Sequence, residues 1–255
     1  MVARTFEELL AEGAAAPVDG WDFSWFQGRA SEQRPSWGYS RLLADRLSRA
    51  GAALDVQTGG GEVLAEALTR AARRPAVVVA TEGWAPNVEL AARNLRRHGA
   101  AVVAVADRDG LPFQAGAFDL VASRHPAVLD WGEIARVLAP GGTYLAQHVG
   151  AGSHRRLVEF LTGATAEPEV DHRERAAAGA AAAGLTVVDL RHEAIRTTFY
   201  DVGAVVAFLR KVVWTLPDFS VARYRPRLAA LHEHIRAEGA FTSYTHRVLV
   251  EARKR

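Results

Sequence analysis

The sequence predicts an α/β fold: a mostly parallel sheet of seven strands with helices on both faces, an N-terminal helical cap, and a helical insertion between the last two strands. Three observations carry this expectation. Between residues 52 and 149, short and wholly apolar runs alternate with segments of helical period, as they do when strands are buried on both faces. Acids stand at or just past the ends of three of those runs, at Asp55, Glu82 and Asp107. A triple glycine, Gly59 to Gly61, joins the first run to the first of these helices. Strand, glycine turn and helix in that order open a ligand site at the carboxyl edge of a parallel sheet.

Composition narrows the class. With 255 residues, half of them apolar, the chain is long enough for one large α/β domain with a small cap. No run of eighteen apolar residues exists, so no membrane span is expected, and the acidic, amphipathic start is not a signal peptide. Cysteine is absent, which excludes disulfides, thiolate metal sites and cysteine nucleophiles and fits a cytoplasmic enzyme. Arginine supplies nearly all the positive charge, with Lys211 and Lys254 the two lysines, yet the formal net charge is only +2. Arginine pairs at 73/74, 96/97 and 155/156 alternate with acids, which reads as solvated helix faces more than as a nucleic-acid surface.

The elements follow in order. Residues 1–50 form the expected cap: Thr5 caps a helix that Gly13 ends, and an aromatic-rich stretch follows with Trp21, Phe23, Trp25, Phe26, Trp37 and Tyr39. Ser36 precedes a further helix carrying Leu43 and Leu47. The sheet domain occupies 51–255. Its strands are expected at 52–56, 77–82, 101–106, 118–122, 143–149, 185–191 (with a possible extension to Thr198) and 244–252. Helices fill the intervals, and a helical insertion covers about 200–240, split at Leu216-Pro217-Asp218.

The glycine turn is neither a dinucleotide fingerprint nor a P-loop, since Gln57, Gly59 and Gly61 give Q-x-G-x-G and no Lys-Ser/Thr follows. Glu82 lies about twenty residues beyond the turn, the spacing of an acid that accepts from ribose hydroxyls. Four blocks in this order resemble the class I S-adenosylmethionine-dependent methyltransferases of the type 11 group: LDVQTGGGE, VVVATEGWAPNVELAARNL, ADRDGLPFQAGAFDLVASRH and EIARVLAPGGTYLAQ. They span about residues 50–150. The resemblance implies a Rossmann-like fold, S-adenosyl-L-methionine as cofactor and S-adenosyl-L-homocysteine as product. It places Gly59 and Gly61 under the cofactor's amino-acid end, with Asp55 supporting that loop. It also gives Glu82 the ribose hydroxyls, Asp107 the adenine amino group, and the Arg108 N–H a place facing the ring. Gln57 departs from the family, which has glycine there; it either strains the turn or brings an amide to the cofactor carboxylate.

Methyl transfer from a sulfonium needs an aligned acceptor and, for O or N acceptors, a place for a proton to go. The segment after the fourth strand reads Ser123-Arg124-His125-Pro126, without the Asn/Asp-Pro-Pro-aromatic block of exocyclic base-amine methylation. His125 is the first candidate base and His148, at the end of the fifth strand, the second; Arg124 is a candidate anchor for a carboxylate. Trp21, Trp25, Trp37, Tyr39, Phe199, Tyr200 and Trp214 are expected to wall an apolar pocket for a small organic acceptor. No metal is expected, because the i, i+2 spacing of His232 and His234 turns them to different helix faces. The alternatives are an rRNA or tRNA methyltransferase and a cofactor-binding homologue without transfer activity. The protein is expected to be a monomer or homodimer.

Overall fold

The computed structural model describes residues 4–18, 22–164 and 171–255; Trp21, assigned above to the acceptor pocket, lies outside them. In chain order the elements are α1 (Phe6–Ala15), β1 (Ala30–Glu32), α2 (Tyr39–Leu47), β2 (Ala52–Val56), α3 (Glu62–Arg70) and β3 (Val77–Glu82). Next come α4 (Ala85–Leu95), β4 (Ala101–Ala104), β5 (Phe118–Arg124), α5 (Trp131–Val137), β6 (Leu138–Val149) and α6 (Arg155–Thr162). The chain closes with α7 (His172–Ala182), β7 (Leu185–Phe199), α8 (Val202–Lys211), α9 (Val221–Glu238) and β8 (Phe241–Lys254).

The hydrogen-bonded strand order is β1-β7-β8-β6-β5-β2-β3-β4. Strands β2 to β6 pair in parallel, while β6 with β8 and β1 with β7 are antiparallel. The expected α/β architecture is present, with eight strands among the described residues instead of the seven expected. The additional strand, β1, has three residues, Ala30-Ser31-Glu32, too short and too polar to show a strand period.

The chain divides into two compact units. One comprises residues 35–150, 171–193 and 247–255, the other 1–34, 151–170 and 194–246. Helix α2 groups with the sheet unit, where Leu43 and Leu47 are buried in the core with Leu64 and Leu68.

In the sheet unit, alternation within each parallel strand builds two cores. Ala53, Leu120 and Leu145 face the cluster containing α2, α3 and α4, while Leu54, Val121 and Tyr144 face the one containing α5 and α7. β6 begins earlier than the Pro-Gly-Gly turn suggests, at Leu138, and a register shift between Phe118 and Leu120 accommodates it.

In the second unit, α1, α6, α8 and α9 enclose Leu9, Leu10, Leu157, Leu161, Val205, Leu209, Leu228 and Leu231. Thr5 caps α1 through a reciprocal box with Glu8, as its sequence implies. The helix does not stop at Gly13. That glycine is buried against α8, where a Cβ would lie 2.4 Å from the Gly203 carbonyl oxygen, so its role is close packing. Asp201 caps α8 by accepting from the Ala204 N–H at 2.8 Å and pairs with Arg29 at 2.8 and 2.9 Å.

Candidate functional site

The order of the parallel strands fixes where a ligand belongs. From β2 the chain moves outward through β3 and β4, then returns to the other side of β2 with β5 and β6. The carboxyl ends of β2 and β5 therefore border the switch point at which open α/β sheets bind ligands. Asp55 and Gln57 lie at one of those ends, Ser123 and Arg124 at the other.

The turn after β2 is held by the acids around it. Gly59 and Gly61 both take left-handed backbone angles, φ 64° and 78°, which glycine adopts without Cβ strain. The Gly59 N–H donates to Glu82 Oε2 at 2.8 Å, and the Gly83 and Trp84 N–H groups donate to Glu82 Oε1 at 3.1 and 3.0 Å. A carboxylate accepts about four hydrogen bonds, so one lone pair of this buried side chain is left for a ligand. Asp55 is also buried and accepts from Thr58 Oγ1 at 2.6 Å. Burial raises its carboxyl pKa to about 7, against the opposing effects of the Thr58 hydrogen bond and the Arg124 charge.

Gln57 adopts φ 55°, so the departure from glycine does place a side chain on left-handed backbone. Its amide reaches across to the segment after β5. Nε2 donates to the Val128 carbonyl at 2.6 Å, and Oε1 accepts from the Ala127 N–H at 2.6 Å and the Val128 N–H at 3.3 Å.

A cavity of about 260 Å³ opens here, lined among others by Gln57, Asp107, Arg108, Leu111, Val128 and Tyr144. The loop that brings Leu111 to it is fastened by α5. Glu133 accepts from the Leu111 N–H at 2.7 Å, and Arg136 donates to the Leu111 and Phe113 carbonyls at 2.8 and 2.7 Å. Arg136 also bonds Glu133 directly, which holds that carboxyl below its ordinary range.

The two histidines sit at the ends of β5 and β6. His125 takes φ 58° and its N–H donates to the Gln147 carbonyl at 2.7 Å; its Nε2 lies 2.7 Å from Gln147 Nε2. Burial first, then the Arg124, Arg247 and His148 charges, push its pKa well below the ordinary value. The Tyr144 hydroxyl and His148 Nε2 are hydrogen-bonded at 3.0 Å; burial raises the phenol pKa and lowers that of His148 to about 4.

The aromatic residues expected to wall one pocket are divided between the two units. Trp37 and Tyr39 are buried in the sheet unit, where the indole donates to Gln147 Oε1 at 2.8 Å and the phenol to the Ser123 and Leu145 carbonyls at 3.1 and 3.2 Å. In the other unit, Phe199 is fully buried and Trp25 packs under Arg29, whereas Tyr200 and Trp214 are exposed. The physical reason is the polar tip of each ring: Trp37 and Tyr39 find buried partners and so serve as core.

Comparison with known proteins bears on this geometry. The family model described as methyltransferase domain matches residues 54–146, a span containing the glycine turn, all three acids and the cavity. Residues 54–146 carry a methyltransferase domain.

Solved structures resemble the chain beyond that span. The YcgJ protein of Bacillus subtilis aligns with a TM-score of 0.58 at 16% identity, covering 85% of this chain and 96% of its own. A putative methyltransferase from Bacillus halodurans aligns at 0.54 and 16%, covering 80% and 92%. Geranyl diphosphate C-methyltransferase from Streptomyces coelicolor, crystallised with Mg2+, geranyl diphosphate and S-adenosyl-L-homocysteine, aligns at 0.50 and 14%, covering 85% and 76%. No curated protein sequence matches. Among the described residues no helix is long and apolar enough to cross a membrane.

Several positions of the candidate site escape a sequence reading. Leu111, Val128 and Tyr144 line the cavity from loops or from the middle of a strand, and Gln147 touches His125 across two strands. The Glu133/Arg136 pair had a visible signal: an i, i+3 acid–base pair in the block EIARVLAPGG, twenty-odd residues beyond the loop it holds.

Proposed function

We propose that the chain transfers a methyl group from S-adenosyl-L-methionine to an O, N or C atom of a small organic molecule. One observation supports this most: Asp55 and Glu82 converge on the glycine turn at the switch point, beside a cavity that Asp107 and Arg108 line. The residues suit the cofactor. Asp55 and Glu82 offer negative charge to a cationic amino acid and a hydroxyl acceptor to the ribose, and the apolar Leu111 and Val128 wall suits an adenine beside Asp107. When bound, the cofactor supplies an already activated methyl group. The chain's own part is to hold that group and an acceptor in line and to keep water away.

A small acceptor is favoured over RNA by a formal net charge of only +2, with arginines interleaved among acids. A neighbour of the same fold is a C-methyltransferase of geranyl diphosphate, itself a small organic molecule. Calorimetry with S-adenosyl-L-homocysteine, followed by a labelled-methyl screen of small acceptors and transfer RNA, tests the reading. Absence of binding sinks it, and label appearing only in RNA replaces the acceptor class.

A further inference from the structure

Trp37, Gln147 and His125 form a hydrogen-bond chain that can run in one direction only. An indole Nε1 is a donor and never an acceptor, and here it donates to Gln147 Oε1 at 2.8 Å. That contact fixes which end of the carboxamide is oxygen, a choice geometry alone often leaves open. The other end, Gln147 Nε2, lies 2.7 Å from His125 Nε2. An amide NH2 can only donate, so His125 Nε2 is the acceptor and the ring proton resides on Nδ1. Trp37 and Gln147 are 4% and 3% exposed, which leaves water no room to take over either contact.

Other features act in the same sense. The charged and titratable groups that act on the ring are Arg124, Arg247 and His148, and each disfavours an imidazolium. The His125 backbone sits at φ 58° with its N–H on the Gln147 carbonyl, so Gln147 holds this residue by main chain and side chain together. A side-chain-bearing residue kept in that strained region marks a position whose geometry matters. Nδ1 makes no hydrogen bond among the described residues, yet it is not one of the sealed, unpartnered atoms.

We propose that Gln147, oriented by Trp37, is a positioning residue that presents His125 to the acceptor as a neutral ring with its single proton on Nδ1. His125 then holds the acceptor by donating to an oxygen lone pair and takes no proton from it. This rests on the methyl-transfer reading given above and narrows it. The acceptor carries a carbonyl, carboxylate or ionised hydroxyl oxygen, and its reacting atom needs no deprotonation by this histidine. No bond to His125 forms or breaks in the transfer.

Ring-nitrogen NMR on the full chain labelled with 15N-histidine decides the matter, with His125 assigned by the signal lost in His125→Asn. The wild type is expected to show the Nδ1–H tautomer from about pH 6 to about pH 8. In Gln147→Glu a carboxylate accepts from both Trp37 and His125, so the proton moves to Nε2 and the titration point rises by about one pH unit or more. Should that variant fail to fold, Trp37→Phe carries the same test, because the freed amide can turn over and a mixture of tautomers is expected. A wild-type Nε2–H tautomer, an ordinary titration point, or folded variants that leave both unchanged would overturn the proposal. Calorimetry with S-adenosyl-L-homocysteine on the same samples separates the two levels. Binding with the wrong tautomer sinks this inference alone, and no binding with the Nδ1–H tautomer intact sinks the methyl-transfer reading and the acceptor role with it.

Discussion

Gln57 and Val128 are joined twice: the Gln57 amide donates to the Val128 carbonyl at 2.6 Å and accepts from its N–H at 3.3 Å. With the Ala127 N–H as a third partner, one side chain pins the segment after β5 to the glycine turn. The family's glycine would relieve a backbone strain of about 1 kcal/mol at φ 55°. Three hydrogen bonds at about 0.5–1.5 kcal/mol each outweigh that. Gln57→Gly is therefore expected to lose roughly 1–2 kcal/mol in urea unfolding. A gain in stability would show that strain dominates.

Glu82 is a structural acceptor before it meets any ligand. Glu82→Ala leaves the Gly59, Gly83 and Trp84 N–H groups without their acceptor. A loss of roughly 2–4 kcal/mol in stability is expected. Weaker S-adenosyl-L-homocysteine binding, by a further ~1–3 kcal/mol, should be seen by calorimetry at a temperature where the variant is folded. Unchanged affinity in the folded variant would remove the ribose contact.

Asp55 gives a pH dependence with a defined sign. Its folded pKa, about 7, lies above the ordinary 3.8, so the folded state binds this proton more tightly than the unfolded chain. Its contribution to stability is then complete below about pH 4 and declines as pH rises toward about 7. Asp55→Asn should flatten that decline by roughly 2–4 kcal/mol, read from urea unfolding at the two ends of the window. A cationic ligand beside the carboxyl favours its ionised form, so wild-type cofactor affinity should rise between about pH 6 and pH 8. Flat affinity across that range would separate Asp55 from the cofactor.

His148 acts on the acid side. Burial lowers its pKa from 6.5 to about 4, so the unfolded chain takes up a proton that the folded state refuses. Stability is fully present above about pH 6.5 and is lost as pH falls toward 4. His148→Gln should remove about 1–3 kcal/mol of that loss. Matching acid denaturation midpoints in wild type and variant would contradict the depressed value.

The parts of the fold legible in the sequence are those where local pattern and tertiary role coincide. Strands β2, β3, β5 and β6 are apolar because both faces are covered, and Gly59, Gly61, Asp55 and Glu82 lie within or beside them. Gln57 announced itself as a departure, though which atoms its amide would reach depends on a loop seventy residues away. The contacts among Trp37, Gln147 and His125 left no trace in spacing, since they depend on how β5 and β6 are registered and where α2 docks. Gly13 misled for a related reason: a glycine near a helix end reads as a stop, and here it serves a neighbouring helix instead.

The closeness of α1 and α8 limits how the gene can be trimmed. Every residue of α8 from Val202 to Leu209 is buried, and α1 supplies part of what covers it, through Leu9, Leu10 and Gly13. Starting expression at residue 17 would remove α1 and uncover a greasy rod at the centre of that unit. Clumping or degradation in the host, more than a simple drop in melting temperature, is the outcome to plan for when choosing clone boundaries.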